Sequence, residues 1–348
     1  MTPEPIEVQA RHRLDEASLD RFLAAHLPEY AGGLRLRQFA GGFSNITYAL
    51  DATDRDGQAR SYVLRKPPAG PLLASAHRID REFRVLRALA SSDVPVPVAR
   101  VLCEDPQVLG QSFYIMDHVH GRLFSDPTLP GCSTTERAAI YEAMNEVLAR
   151  LHRVDYQAAQ LGDYGKPGDF LGRQISLWTR QYQAAQTERL PEMELLGAWL
   201  AAHVPAGQVT SIVHGDFRLN NILIHPTQPR VAAVLDWELS TLGDPLCDLA
   251  YNCMAYHLSE LPVGFAGADH LALGIPSQQA YIDAYCRRAG IESVPHLPFY
   301  LGLQLFKSAA ILQGVYQRAL TGAAPQQALD KLAQVRSRAA LGLRLAAP

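Results

Sequence analysis

Cysteine is scarce in this chain, and what there is falls into no motif. Cys103, Cys132, Cys247, Cys253 and Cys286 make an odd count without CxxC spacing. That excludes a zinc site or a disulfide framework and fits reduced thiols in a cytosolic protein. An excess of one charge is missing too: 32 Lys and Arg stand against 35 Asp and Glu, for a net charge of -3. Nothing here is a basic footprint for nucleic acid. No run approaches the ~18 apolar residues of a membrane span, and MTPEPIEVQARHR at the start lacks the apolar stretch of a signal peptide. Repeats and low-complexity tracts are also absent. The expectation is a soluble, cytoplasmic protein with no nucleic-acid or membrane partner.

What is present is a chain of 348 residues, 48% of them hydrophobic, long enough for two lobes with cores of their own. DEASLDRFLAAHLP reads as a helix with Leu19, Phe22, Leu23, His26 and Leu27 on one stripe, His26 as a core or boundary residue, and Pro28 as the stop. LRLRQFAGGFSNITYAL reads as strand, Gly-Gly turn and strand, and Asp56-Gly57 marks a hairpin before a third strand, SYVLRK. HRIDREFRVLRALA is helical, with Ile79, Phe83, Leu86 and Ala90 along the inward face and Glu82 among them. A buried carboxylate requires a cation. Arg65 and Lys66 on the third strand offer one on each face of the sheet, and Arg78 on the helix itself is the alternative. ARVLCE and QSFYIMDHV are further strands. The turn residues of HGRLFSDPTLPGC then place a lobe boundary near residue 120, dividing the chain into 1–119 and 120–348. Beyond it, Ser133 and Glu136 stand in capping-box spacing ahead of a stripe of Ile140, Met144, Val147, Leu148 and Leu151.

The stretch IVHGDFRLNNILI sets a polar centre between two apolar runs. NILI and VAAVLDW form a hairpin through HPTQP, which makes Asn221 and Asp236 neighbours, and Asp216 lies just ahead. Two carboxylates and an amide on one small volume suit Mg²⁺, which takes one or two carboxylates beside substrate phosphates.

The spacing H-x-D-x-x-x-x-N, then a hairpin and an Asp, resembles the catalytic loop and metal-binding Asp of protein kinases. With His214-Gly215-Asp216 and Asp236-Trp237-Glu238 as the motif residues, the chain resembles the aminoglycoside phosphotransferase and choline kinase superfamily. FAGGFSN, YVLRK, Glu82 and GDPLCDLAY are similar to further segments of that superfamily. VLRKPP, HGDFRLNN, LDWELSTLGDP and AAILQGVYQRAL are closer still to the kinase-like module of acyl-CoA dehydrogenase family members 10 and 11 and its free-standing bacterial relatives.

The resemblance implies an α+β, two-lobed protein-kinase-like fold, with a small antiparallel sheet and a helix in the N-lobe and a larger, mostly helical C-lobe. It implies a kinase of a hydroxylated small molecule, with ATP and Mg²⁺ as cofactors. Asp216 would be the base, Arg218 would stabilise the transferred phosphoryl group, and Asn221 and Asp236 would hold the metal. Backbone amides at Gly41, Gly42 and Ser44 would cover the phosphates. Arg65, favoured over Lys66, would pair with Glu82 beside the nucleotide, and Asp117 to Val119 would meet the adenine through the main chain. His214 would brace the loop, Asp248 would fix its backbone or bind metal, and Glu238 would support the metal or cap a turn. On the acceptor side the candidates are Gln174, Trp178 and Tyr182 on one helix and Lys307, Gln313 and Tyr316 near the C-terminus. Lys307 stands out as a cation in the apolar run LGLQLFKSAAIL, suited to an anionic substrate. The leading acceptor is a hydroxyacyl-CoA, a CoA thioester, or a hydroxy acid. The alternatives are an aminoglycoside or choline-type kinase and, in another class, a nucleotide-binding pseudokinase.

Overall fold

Alternating apolar positions through residues 35–66 favour strands, and strands are what the chain forms there. In this computed structural model, residues 4–39, 45–68, 79–166, 168–259, 263–265, 267–322 and 325–347 are described. In chain order come β1 (Pro5–Ile6), α1 (Glu16–His26), β2 (Arg35–Phe39), β3 (Ile46–Thr53), β4 (Ala59–Lys66), α2 (Ile79–Leu89), β5 (Ala99–Cys103), the single turn α3 (Pro106–Leu109) and β6 (Phe113–Asp117). There follow α4 (Thr134–His152), α5 (Phe170–Ala185), α6 (Pro191–Ala202), β7 (Ser211–Val213), β8 (Ile222–Ile224), β9 (Val231–Val234), β10 (Thr241–Gly243), α7 (Leu246–Cys253), α8 (Gln278–Ala289), α9 (Leu297–Leu320) and α10 (Lys331–Ala346). The chain divides into two compact units. The first comprises Met1–Ser125, Gln157–Leu161 and Leu219–Ser240, the second Asp126–Tyr156, Gly162–Arg218 and Thr241–Pro348.

The first unit is built on a six-stranded antiparallel sheet in the order β1-β2-β3-β4-β6-β5. Asp54 closes the turn between β3 and β4 by accepting the N–H groups of Asp56 and Gln58, and Gly57 supplies the positive φ of 76° that the turn needs. Leu19 and Leu23 of α1 and Leu27 just past its end pack with Tyr48, Leu50, Tyr62, Leu64, Phe113 and Ile115 in one core. His26, expected at the core or its boundary, is exposed and stacks on the Phe22 ring. On α2 the buried face is Ile79, Glu82, Val85, Leu86 and Leu89. Glu82 is inward as its spacing suggested. Phe83 is only half-buried, on the flank of that face, and Ala90 lies past the end of the helix and is exposed.

The hairpin β8–β9 belongs to this unit. Its register pairs Ile222 with Val234, and the Leu235 N–H donates to the Asn221 carbonyl. Asn221 and Asp236 thus flank the open end of one ladder. The β9 strand is tied down by the Val234 N–H donating to Pro95.

In the second unit, Ser133 caps α4 by accepting the Glu136 N–H at 3.1 Å, and Ile140, Met144, Val147, Leu148 and Leu151 are all buried. A short ladder of β7 with β10 precedes α7. No helix among the described residues is long and apolar enough to cross a membrane. All five cysteines are free and buried.

Candidate active site

The residues singled out in the sequence fall into two groups of side chains, one in each unit. In the first unit, β4 presents Arg65 and α2 presents Glu82. The Arg65 Nε lies 3.1 Å from Glu82 Oε2, and an Nη of the same guanidinium donates to Asp236 Oδ1 at 2.9 Å. Glu82 also accepts from Asn45 Nδ2 at 2.7 Å and from the Tyr114 hydroxyl at 3.0 Å. Burial pushes the Glu82 carboxyl above its ordinary value, against the pull of Arg65. Burial works against the Arg65 charge too, but Glu82, Tyr114 and Asp236 together hold its pKa above the usual arginine value. Lys66, one position on, points to the other face and donates to Gln111 Oε1 at 3.2 Å. Arg65 is therefore the cation that meets Glu82.

Asp236 adopts φ 65° and ψ 64°, a left-handed conformation uncommon outside glycine, though Asp is among the residues that visit it. That turn out of the hairpin leaves its side chain 37% exposed. The adjacent Trp237 is buried and donates from Nε1 to the Val234 carbonyl. Glu238 lies in the following 3₁₀ turn, half-buried.

At the strand exit, the Asp117 N–H donates to Val98 and the His118 N–H to Ser61. The Asp117 carboxylate is held by Arg100 through two hydrogen bonds of 2.6 and 2.7 Å. The Val119 N–H meets no other main-chain carbonyl among the described residues. Gly41, Gly42 and Ser44 lie outside the described residues, as does Arg78.

In the second unit the loop after β7 is clamped by α7. Asp248 is buried and accepts the His214 N–H at 2.6 Å and the Gly215 N–H at 2.9 Å. His152 Nε2 lies 3.5 Å from the same carboxylate, with its Nδ1 against the Tyr285 hydroxyl. Burial opposes the Asp248 charge, but His152 and His214 hold its carboxyl below the usual range. One helical turn later, Asn252 donates to the Phe217 carbonyl at 2.7 Å. Gly215 takes φ 80°, which admits the sharp turn before Asp216. His214 is fully buried and its Nδ1 accepts the Asp216 N–H. Asp216 itself pairs with Arg218, Nε to Oδ2 at 3.2 Å.

Of the acceptor-side candidates, Trp178 and Lys307 come together, and Tyr182 does not join them. The Lys307 ammonium lies 5.6 Å from the Trp178 ring and 5.4 Å from the Tyr251 ring, and donates to the Gly215 carbonyl at 2.6 Å. Gln174 accepts from the Trp178 indole N–H. Tyr182 instead lines a groove of about 560 Å³ with Thr179, Met193, Gly197 and Phe306. Gln313 is spent on the Ala185 carbonyl and the Thr187 hydroxyl, fastening the end of α5. Tyr316 is half-buried on α9. The sequence reading missed Tyr251, Asn252 and His152. The spacing of Asp248 and Asn252, four residues apart on one helical face, was a usable signal for the second of these.

An antiparallel sheet with an internal helix, a helical second unit, and an acid–guanidinium–acid set followed out of a hairpin define a protein-kinase-like phosphotransferase of α+β class. The chain belongs to the phosphotransferase enzyme family, which matches residues 35–293. It is 47% identical over 326 residues to acyl-CoA dehydrogenase family member 10 of Mus musculus, covering 92% of this chain and 30% of that protein. Against acyl-CoA dehydrogenase family member 11 of Gallus gallus the identity is 44%, covering 99% of this chain and 45% of the relative. The chain thus spans less than half the length of these curated relatives. A solved structure from Ralstonia eutropha JMP134, provisionally assigned as an aminoglycoside phosphotransferase, is 46% identical, with a TM-score of 0.87 over 96% of this chain and 98% of the other.

Proposed function

We propose that this protein transfers the γ-phosphoryl group of ATP, with Mg²⁺, to the hydroxyl group of a hydroxyacyl-CoA or a hydroxy acid. The observation that carries the reading is the bridge from Glu82 through Arg65 to Asp236, a cation held ready for phosphate beside a partly exposed carboxylate. The donor set fits the metal. Asp236 and Asn221 are oxygen donors at one hairpin end, and Mg²⁺ takes few protein ligands when phosphates supply others. Bound there, Mg²⁺ would neutralise phosphate charge.

In this mechanism Asp216 accepts the acceptor hydroxyl's proton as that oxygen bonds to the γ-phosphorus. The bond from phosphorus to the bridging oxygen breaks and ADP leaves. Arg218 offsets charge on the transferring group, and Arg65 binds the phosphates. The Val119 N–H serves the adenine edge. The acyl-CoA dehydrogenase names of the relatives support an acyl acceptor, and so do Lys307 and Arg218 around Asp216, which disfavour a polycation such as an aminoglycoside. The presence of Asp216, Asn221 and Asp236 together supports turnover over a pseudokinase. The test is acceptor-dependent conversion of ATP to ADP across hydroxyacyl-CoA thioesters, free hydroxy acids, amino alcohols and aminoglycosides. Turnover is expected with the first two; ATP consumption with none of the four removes the reading.

A further inference from the structure

Lys307 sits in the middle of α9, where its neighbours Leu303, Leu305 and Phe306 are buried. Packing alone would be served there by leucine or methionine. The chain instead places an ammonium against two aromatic faces, Trp178 and Tyr251, each within the reach of a cation–π contact. An ammonium has three N–H donors. One goes to the carbonyl of Gly215, the residue bonded to the N–H of Asp216. No other hydrogen bond of this ammonium is found among the described residues. Burial pushes its pKa below the ordinary lysine value, with Asp216 and Asp248 pulling the other way. Tyr251 adds a second link: burial first, and then the neighbouring Asp216 charge, push its hydroxyl above the ordinary tyrosine value. The cation, the two rings and the expected base thus form one cluster within one unit.

We infer that Lys307 reads the acceptor: its ammonium donates to an acyl oxygen, a carboxylate or a thioester carbonyl, of the molecule whose hydroxyl faces Asp216. The Trp178 and Tyr251 rings wall the carbon chain between the two groups. The inference rests on the kinase reading above and adds a specificity-determining residue to it.

The experiment compares steady-state kinetics of the wild-type protein with Lys307→Met, which keeps length and ring contact without the charge, and Lys307→Arg, which keeps the charge. Probes are short- and medium-chain hydroxyacyl-CoA thioesters, the matching free hydroxy acids, and choline. Loss of a charge-assisted hydrogen bond predicts KM for acyl acceptors raised about tenfold or more in Lys307→Met, with kcat and the KM for ATP changed far less. Lys307→Arg should recover part of the affinity. A larger penalty on the free acids identifies a carboxylate as the partner, and a larger one on the thioesters identifies the carbonyl. An unchanged acyl KM, or a loss of kcat equal for every acceptor including choline, overturns the inference and leaves Lys307 a brace for the Gly215 backbone. A wild-type protein inactive on all probes overturns the kinase reading and this inference with it.

Discussion

Arg65 joins Glu82 and Asp236, reaching one carboxylate at 3.1 Å and the other at 2.9 Å from a single guanidinium. Two carboxylates share one cation, and the one behind it is almost wholly buried. Arg65→Ala strands Glu82 without a counter-ion. Breaking a buried pair costs about 3 kcal/mol or more, read as a lower urea midpoint, and ATP affinity should fall by more than in Lys66→Ala. Lys66→Ala loses a hydrogen bond to a neutral amide, Gln111, and leaves no buried carboxylate partner unpaired among the described residues. A larger effect at Lys66 on both measures would contradict the assignment.

Asp216→Asn keeps the shape of the side chain and removes its capacity to take a proton. Turnover should drop by at least ~10²-fold, the low end for a positioned base, while ATP binding measured by calorimetry stays near wild type. Undiminished turnover would exclude Asp216 as the base.

Asp236→Ala removes an expected metal ligand and a carboxylate partner of Arg65. Nucleotide binding should lose its dependence on Mg²⁺. A titration with and without Mg²⁺ that shows the wild-type difference would move the metal elsewhere.

Asp248→Asn tests the clamp beneath the loop. The amide cannot accept at both positions, so one of the His214 and Gly215 N–H groups loses its partner, at a cost of about 1–3 kcal/mol at neutral pH. The folded carboxyl lies below its unfolded value. Its contribution is therefore complete above the ordinary aspartate pKa of about 4 and fades as pH falls through the folded value. Urea unfolding across pH should show the gap between wild type and variant narrowing below about pH 4. A gap independent of pH would assign the effect to shape alone.

Much of this arrangement was legible in one dimension. The spacing from His214 to Asn221, the short hairpin and Asp236 lie within a stretch where chain connectivity limits separation. Strand pairing across 222–234 sets Asn221 beside the end of β9 whatever the rest of the protein does. Alternation in β4 likewise sent Arg65 and Lys66 to opposite faces. The capping box at Ser133 needed only three residues of spacing.

Tertiary packing decided the rest. Helical periodicity advances about 100° per residue, so a small rotation of the buried face leaves an expected core residue on the flank, as with Phe83, while Ala90 falls past the end of α2. Trp178 and Tyr182 occupy one face of α5, yet only the first meets Lys307, because α6 covers the second. Lys307 and Gly215 are 92 positions apart, and His152 meets Asp248 across 96. Local geometry fixes neighbours along the chain, but contacts over such separations depend on how whole helices rotate to bury their apolar faces.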